Sequence, residues 1–304
     1  MTKPLILVTG STGKTGTSVV QQLLKRGYPV RAFVHRLDER SQRLSERGAE
    51  VVAGDFRNLH SVRNAMKGVK RVYFCYPPQG DRLLEAATNV AIAARDEGIR
   101  GLVNMSQITA REQAKGPLAF QHWQSEQVLD WANIGAAHIN PTFFAEDRYL
   151  FTGQTIAAEG KMYLPFGEGR HAPVGAEDIA RVAVGILENP EPHVGQHYFI
   201  TGPKNMKIAE MAGVLSRELG KPIEYVNLPI EQWRKILVEK AGFPEFLATH
   251  LAAVAQDHQD GIFSGVTDVV KKIGGQAPQS LEDFVRAHKA EFTGGTKVLR
   301  QAQS

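Results

Sequence analysis

Leu5-Ile6-Leu7-Val8-Thr9-Gly10-Ser11-Thr12-Gly13-Lys14-Thr15-Gly16 is an apolar run that breaks into glycines spaced three apart. A helical pattern follows at Val19, Val20, Leu23 and Leu24 and stops at Gly27. A second apolar run, Val30-Arg31-Ala32-Phe33-Val34, then ends in His35-Arg36. Strand, glycine turn, helix, strand is the unit that binds a dinucleotide. Gly10 lets the chain leave the strand in a tight turn. Gly13 leaves room for a pyrophosphate at the backbone, and Gly16 lets the helix pack close to the sheet. Free N–H groups and the helix dipole favour phosphate at this turn, from Gly10 through Ser11, Thr12, Gly13, Lys14 and Thr15 to Gly16. The spacing is G-x-x-G-x-x-G rather than G-x-G-x-x-G. It is not a Walker A loop, because Gly10 lies too close to Gly13.

The end of the second strand selects the cofactor. An acid there accepts from a ribose 2′-hydroxyl, whereas a 2′-phosphate calls for a cation. Here the position holds His35 and Arg36, and the first acids are Asp38 and Glu39. Arg36 can make two charge-assisted hydrogen bonds to a phosphate. The expected cofactor is therefore NADP(H), with Arg36 as the main 2′-phosphate ligand.

The 304 residues can bury a large core. A net charge of +4, with Lys and Arg interspersed among acids, does not point to nucleic acid, though it suits an anionic cofactor. The single cysteine, Cys75, excludes an internal disulfide. Met1-Thr2-Lys3-Pro4 leads straight into a strand, and no apolar stretch reaches membrane-spanning length. A cytoplasmic protein with no membrane or nucleic-acid partner is expected. Oligomeric state is not fixed, and a homodimer stays open.

Strands over 50–53, 71–76 and 102–105 alternate with helices over 40–47, 59–66, 83–97 and 118–132, and a strand follows over 137–141. This alternation predicts an α/β fold, a Rossmann-like doubly wound parallel sheet covered on both faces. From residue 142 to 174 the pattern loosens into aromatics and glycines. A helix over 176–187 and a strand over 196–201 return to the main sheet, and the remainder reads as helices over 208–219, 230–241, 245–256, 266–273 and 281–289. The expected division is a nucleotide-binding domain over 1–141 with a returning segment at about 174–201. A smaller, mostly helical substrate domain takes 142–173 and 202–292, and 293–304 is a flexible tail.

The chain resembles the NmrA-like branch of the atypical short-chain dehydrogenase/reductase superfamily. The matching pieces are the glycine turn, Gly54-Asp55-Phe56, Ser106, Gln121-His122-Trp123-Gln124-Ser125-Glu126, the run from Pro173 to Ala180 and the run from Gln196 to Pro203. Within the branch it looks closest to quinone reductases and triphenylmethane-dye reductases, which share an H-x-x-x-E at the same helix. The resemblance covers residues 1 to about 290. It implies a Rossmann-like domain, NADP(H) binding and a substrate cleft between domains. By position it implies that Asp55 and Phe56 flank the adenine and that Cys75, Tyr76 and Pro77 pass the ribose. Met105 and Ser106 would lie beside the nicotinamide ribose, with Pro141, Thr142 and Phe143 along the nicotinamide.

Typical members of the wider superfamily use Tyr-x-x-x-Lys, with Tyr as general acid. Here that helix carries His122-x-x-x-Glu126, so tyrosine-driven carbonyl reduction is not expected. One reading is hydride transfer to an acceptor that needs little acid catalysis, a quinone or dye-like small molecule, with His122 orienting it or giving a proton near neutral pH. The other is an NADP(H)-binding redox sensor that acts through protein partners. Phe144, Tyr149, Trp233 and Phe263 are candidates for a flat substrate's pocket. His193 and His197 are four apart, but Gly195 and the strand-like Tyr198-Phe199-Ile200 exclude a helical metal pair, so no metal is expected. Ser106 lacks a G-x-S-x-G elbow, which argues against hydrolase chemistry.

Overall fold

The computed structural model describes residues 3–77 and 82–292, with 147–151 as backbone only. Among the described residues the strands are β1 (Ile6–Val8), β2 (Val30–Val34), β3 (Glu50–Ala53), β4 (Arg71–Phe74), β5 (Leu102–Met105), β6 (Ala136–Pro141), β7 (Lys161–Leu164), β8 (Arg170–His171), β9 (His197–Ile200), β10 (Met206–Lys207) and β11 (Glu224–Asn227). The helices are α1 (Lys14–Lys25), α2 (Glu39–Glu46), α3 (Leu59–Met66), α4 (Leu83–Asp96), α5 (Pro117–Trp131), α6 (Asp147–Glu159), α7 (Ala176–Glu188), α8 (Ile208–Leu219), α9 (Ile230–Glu239), α10 (Glu245–Gln259), α11 (Val269–Gly274), α12 (Leu281–Ala287) and α13 (Lys289–Phe292).

Seven strands pair in parallel in the order β3-β2-β1-β4-β5-β6-β9. The order reverses between β1 and β4, and a ligand crevice opens beyond the carboxyl ends of strands at such a switch point. The two-residue period of β1 divides it between cores. Ile6 and Val8 enter one apolar cluster with Val19, Val20 and Leu23 of α1 and Ile179, Val182 and Ile186 of α7. Leu7 enters the opposite cluster with Val62 and Met66 of α3, Val90 of α4 and Leu129 of α5. Strands buried on both faces explain why they read as continuous apolar runs.

A third core gathers Ile156, Leu164, Phe166, Met211, Leu215, Trp233 and Phe284. It holds α6, α8, α9 and α12 around two short ladders, β7 parallel to β11 and β8 antiparallel to β10. The stretch that reads in sequence as loosened therefore contains α6, β7 and β8. Its strands are short, and β7 pairs with a segment some sixty residues later, so no local pattern marks the ladder. The strand expected over 71–76 stops at Phe74, because Cys75 N bonds to Thr9 Oγ1 instead of continuing the ladder. The strand near 196–201 does rejoin the main sheet, beside β6. The tail at 293–304 lies outside the described residues. No helix among those described is long and apolar enough to cross a membrane.

Candidate functional site

The glycine turn sits where β1 runs into α1. Thr9 Oγ1 accepts from Cys75 N at 2.8 Å and donates to Cys75 O at 3.1 Å, so the turn is laced to the segment after β4. Gly10 has φ +58°, and a Cβ there would lie 3.0 Å from Cys75 O. A Cβ on Gly16 would lie 2.1 Å from Gly10 O and 2.9 Å from Ser11 Cα. α1 therefore seats directly on its own turn. Ser11 Oγ donates to Phe33 O, and Tyr73 OH donates to Thr15 Oγ1, so those two side chains hold the scaffold. Thr12 is half-buried, and Gly13 and Lys14 are exposed; these three form the open lip. α1 has Gly13 as N-cap, no side-chain cap and no acid in its first turn. No side chain of the cap thus competes with an anion at this helix start.

At the end of β2 the charges sort themselves. Arg36 is exposed and makes no hydrogen bond or ion pair among the described residues. Asp38 caps α2, accepting from Arg40 N at 2.9 Å and Ser41 N at 3.1 Å, and it pairs with the Arg40 guanidinium at 2.6 Å. The Arg40 hydrogen bond, then the Ser41 amide, hold its carboxyl below the usual range. The first acid after β2 is thus committed to the helix. At the end of β3, Asp55 binds the Arg57 guanidinium and amide, which hold its carboxyl low in the same way. Phe56 lies edge-on to Phe33 at 5.1 Å and Phe74 at 5.7 Å, and its ring centroid is 5.8 Å from that of Tyr76. Phe56 and Tyr76 flank the apolar core beneath them, only partly buried.

Met105 is a core side chain. The buried Ser106 Oγ has no partner among the described residues. Pro141 is buried, and Thr142 donates to Ala172 O at 2.7 Å. Phe143 stacks on Phe263 at 4.7 Å. Glu126 is buried and accepts from Asn140 Nδ2 at 2.9 Å, a pairing between α5 and β6 that the sequence reading missed.

The remaining expected residues are placed as follows. His122 is buried and its Nδ1 has no partner among the described residues. Burial, with a smaller contribution from His250, pushes its pKa down to about 3. The ring is therefore neutral near pH 7, and its burial counts against a role as proton donor there. Trp233 and Phe263 are 3% and 4% exposed, inside the packing rather than on an open wall. Phe144 bridges to Val174 and packs on the sheet core. The Tyr149 side chain lies outside the described residues.

The segment after Ser106 is pinned to α10 in a way no spacing reveals. Arg111 makes two bonds to Asp257, at 2.7 and 3.0 Å, and Lys115 pairs with Asp260. Asp257 is 1% exposed while the Arg111 side chain is about one-third exposed. Arg111→Ala should cost about 2 kcal/mol in urea unfolding, below the full value for a buried pair because Arg111 is partly solvated. Lys115→Ala should stay within about 0.5 kcal/mol. Equal effects would mean that Asp257 does not depend on Arg111.

His193 bonds to Tyr198 OH at 2.6 Å, while His197 stacks on His138 at 4.6 Å. A groove of about 480 Å³ runs between Asn227–Glu231 and Gln259, and none of the expected site residues lines it.

The family description "NmrA-like family" matches residues 2–285. The chain is 31% identical to the NAD(P)H azoreductase of Xenophilus azovorans, covering 95% of this chain and 99% of that protein. It superposes on the NADP(H) complex of Citrobacter sp. triphenylmethane reductase with TM-score 0.80 and 27% identity, over 93% of this chain and 99% of the other. The NADPH-dependent quinone oxidoreductase of Escherichia coli has the same fold, with TM-score 0.83 at 23% identity over 93% of this chain and 99% of the other. Match and architecture agree from β1 to α12: the chain belongs to the NmrA-like family.

Proposed function

We propose that this chain is an NADPH-dependent reductase that passes hydride to a flat, electrophilic small molecule of the quinone, azo or dye type. The observation that carries the reading is the pairing of an uncapped glycine turn with an uncommitted Arg36 beside an Asp38 already consumed as a helix cap. Asp38, the first acid after β2, is thereby not free to reject a 2′-phosphate. The similarity to a reductase over almost the whole chain supports the reaction class.

The residues fit the cofactor. Thr12, Gly13 and Lys14 at the open lip hold the pyrophosphate with the first N–H groups of α1. Arg36 holds the 2′-phosphate, and Asp55 and Phe56 border the adenine. The laced Cys75–Pro77 segment lies along one ribose, and the unpartnered Ser106 hydroxyl supplies a bond to the other. Pro141–Phe143 form the floor on the nicotinamide side. Residues 1–141 with 174–201 make the nucleotide-binding part, and 142–173 with 202–292 cover the acceptor. Bound there, NADPH supplies the hydride. His122 stays neutral and orients the acceptor, so the proton that completes a hydroquinone or hydrazo product comes from water. Without Tyr-x-x-x-Lys, rate enhancement rests on holding donor and acceptor face to face.

The test is titration with NADPH and NADH, followed by NADPH oxidation with quinones, azo compounds and triarylmethane dyes. Arg36→Ala should weaken NADPH by roughly 10- to 100-fold, the worth of a charge-assisted pair, and leave NADH unchanged. Equal affinities in variant and parent would sink the assignment. Binding without turnover on any acceptor would replace the enzyme with a nucleotide-sensing regulator.

A further inference from the structure

One polar cluster, at the β6–β9 edge of the sheet, contains none of the residues proposed for the cofactor. His138 on β6 and His197 on β9 are direct neighbours in the parallel ladder. Side chains at paired positions of adjacent parallel strands share a face of the sheet. The His138 ring is fully buried, and His197 covers it from the exposed side, with ring centroids 4.6 Å apart. Asp130, near the end of α5, places Oδ1 3.0 Å from His138 Nε2. One ligand atom from each of Asp130, His138 and His197 lies within 4.8 Å of the other two. Glu126, one turn earlier on the same helix, has Oε2 3.8 Å from His197 Nδ1.

We propose that Asp130, His138 and His197 form a binding site for a divalent first-row transition ion of the zinc type, at the β6–β9 edge of the sheet. Two imidazoles and a carboxylate are a donor set that such ions take and that magnesium and calcium do not favour. The buried partner is already oriented. His138 Nδ1 is 3.0 Å from the amide of Asn104, which is itself buried. A metal-bound imidazole needs a partner of this kind on its other nitrogen, to fix its plane and tautomer. Without metal, Asn104 Nδ2 donates to Nδ1, and the Nε2 proton goes to Asp130. With metal, the Asn104 amide turns over so that its oxygen accepts from Nδ1–H. The proton leaves Nε2, whose lone pair then faces the ion and the Asp130 carboxylate.

Tetrahedral ligands at zinc distances are roughly 3.3 Å apart, so the cluster must close. His138 cannot move much, but the other two can. The side chains of His197 and Asp130 are about one-third exposed, so His197 can tilt off its stack and Asp130 can swing on the helix surface. Three protein ligands leave a position for water. Ligands from α5, β6 and β9 would be drawn together, so binding should also brace the edge strand of the sheet. The three residues stand on three separate elements, α5, β6 and β9, so no local spacing marks them, and the one pair that spacing offers, His193 with His197, is rejected; His193 is held by Tyr198.

The experiment uses tag-free full-length protein stripped with chelator. Zinc is titrated by calorimetry, and cobalt by its visible absorption. The expected result is one ion per chain at micromolar affinity, with a Tm higher by a few degrees when metal is saturating. His197→Ala and Asp130→Asn should each weaken binding at least tenfold while NADPH affinity and metal-free Tm stay at the parent value. His193→Ala should bind zinc as the parent does. Absence of a one-per-chain site, or equal zinc affinity in the parent and both variants, would overturn the proposal. NADPH turnover plays no part in the readout, so failure of the reductase reading leaves the result standing.

Discussion

Gly16→Ala should lower NADPH affinity by roughly 100-fold and stability by about 3 kcal/mol, the upper range for overpacking. The new methyl would sit 2.1 Å from Gly10 O and 2.9 Å from Ser11 Cα, both backbone atoms that have no rotamer to yield. α1 must lift away from its own turn. That movement disturbs the bonds Thr17 makes to Ser11 O and Ser11 makes to Phe33 O, which set the turn against β2. The first amides of α1 then no longer converge on a phosphate. Gly13→Ala is the informative companion. Its Cβ meets Gly10 O at 3.1 Å, a tight contact that a small shift relieves. Gly13 is exposed at the lip, so this variant should keep its Tm within a few degrees while losing nucleotide affinity. Thermal unfolding and fluorescence titration of both variants separate the scaffold glycine from the ligand-facing one. Full NADPH affinity in Gly16→Ala would show that the cofactor does not use this turn.

Acidification should destabilise the protein well before its surface carboxylates titrate. His122 and His250 are buried, and burial pushes them from 6.5 to about 3 and about 4. In the unfolded chain both would take up protons below about pH 6.5. Between that pH and 4 the unfolded state binds more protons than the folded one, so stability rises with pH through this window. The two rings cost nothing above pH 6.5, and their penalty grows as pH falls towards 4. The expected loss is on the order of 2 kcal/mol for each histidine by about pH 4.5. Among the described residues neither imidazole Nδ1 has a partner, so no hydrogen bond at that atom favours the charged form. Urea unfolding between about pH 7 and 4.5 checks this, with His122→Leu/His250→Leu as comparison. The double variant should show a flatter pH dependence. An identical slope would mean that the rings do not stay neutral in the folded state.

The parallel sheet was legible because its signals are local. An apolar run bounded by glycine, followed by a period of 3.6 residues, marks each β–α unit whatever lies beside it. The helix α3 and the strands β2, β3 and β5 fall where the sequence places them. The third core was not legible as strands, because β7 and β8 are short and their partners β11 and β10 arrive later in the chain. Among the site residues, Arg36 could be read from its place after a strand, whereas the commitment of Asp38 to capping α2 came only with the structure. The aromatics could be seen but not sorted. Whether Trp233 faces a ligand or a core depends on what packs over it, and here α9 turns it inward.

The sequence by itself determined the β–α–β order, the glycine turn and the cation at the end of β2, since each is written in neighbours a few residues apart. Only the tertiary structure decided the ionic states and the pairings. It neutralised His122 by burying it beside His250, joined Glu126 to Asn140, locked Arg111 to Asp257 and set Asp130, His138 and His197 together. Such pairings depend on desolvation and on distances between separate elements, which no local spacing encodes.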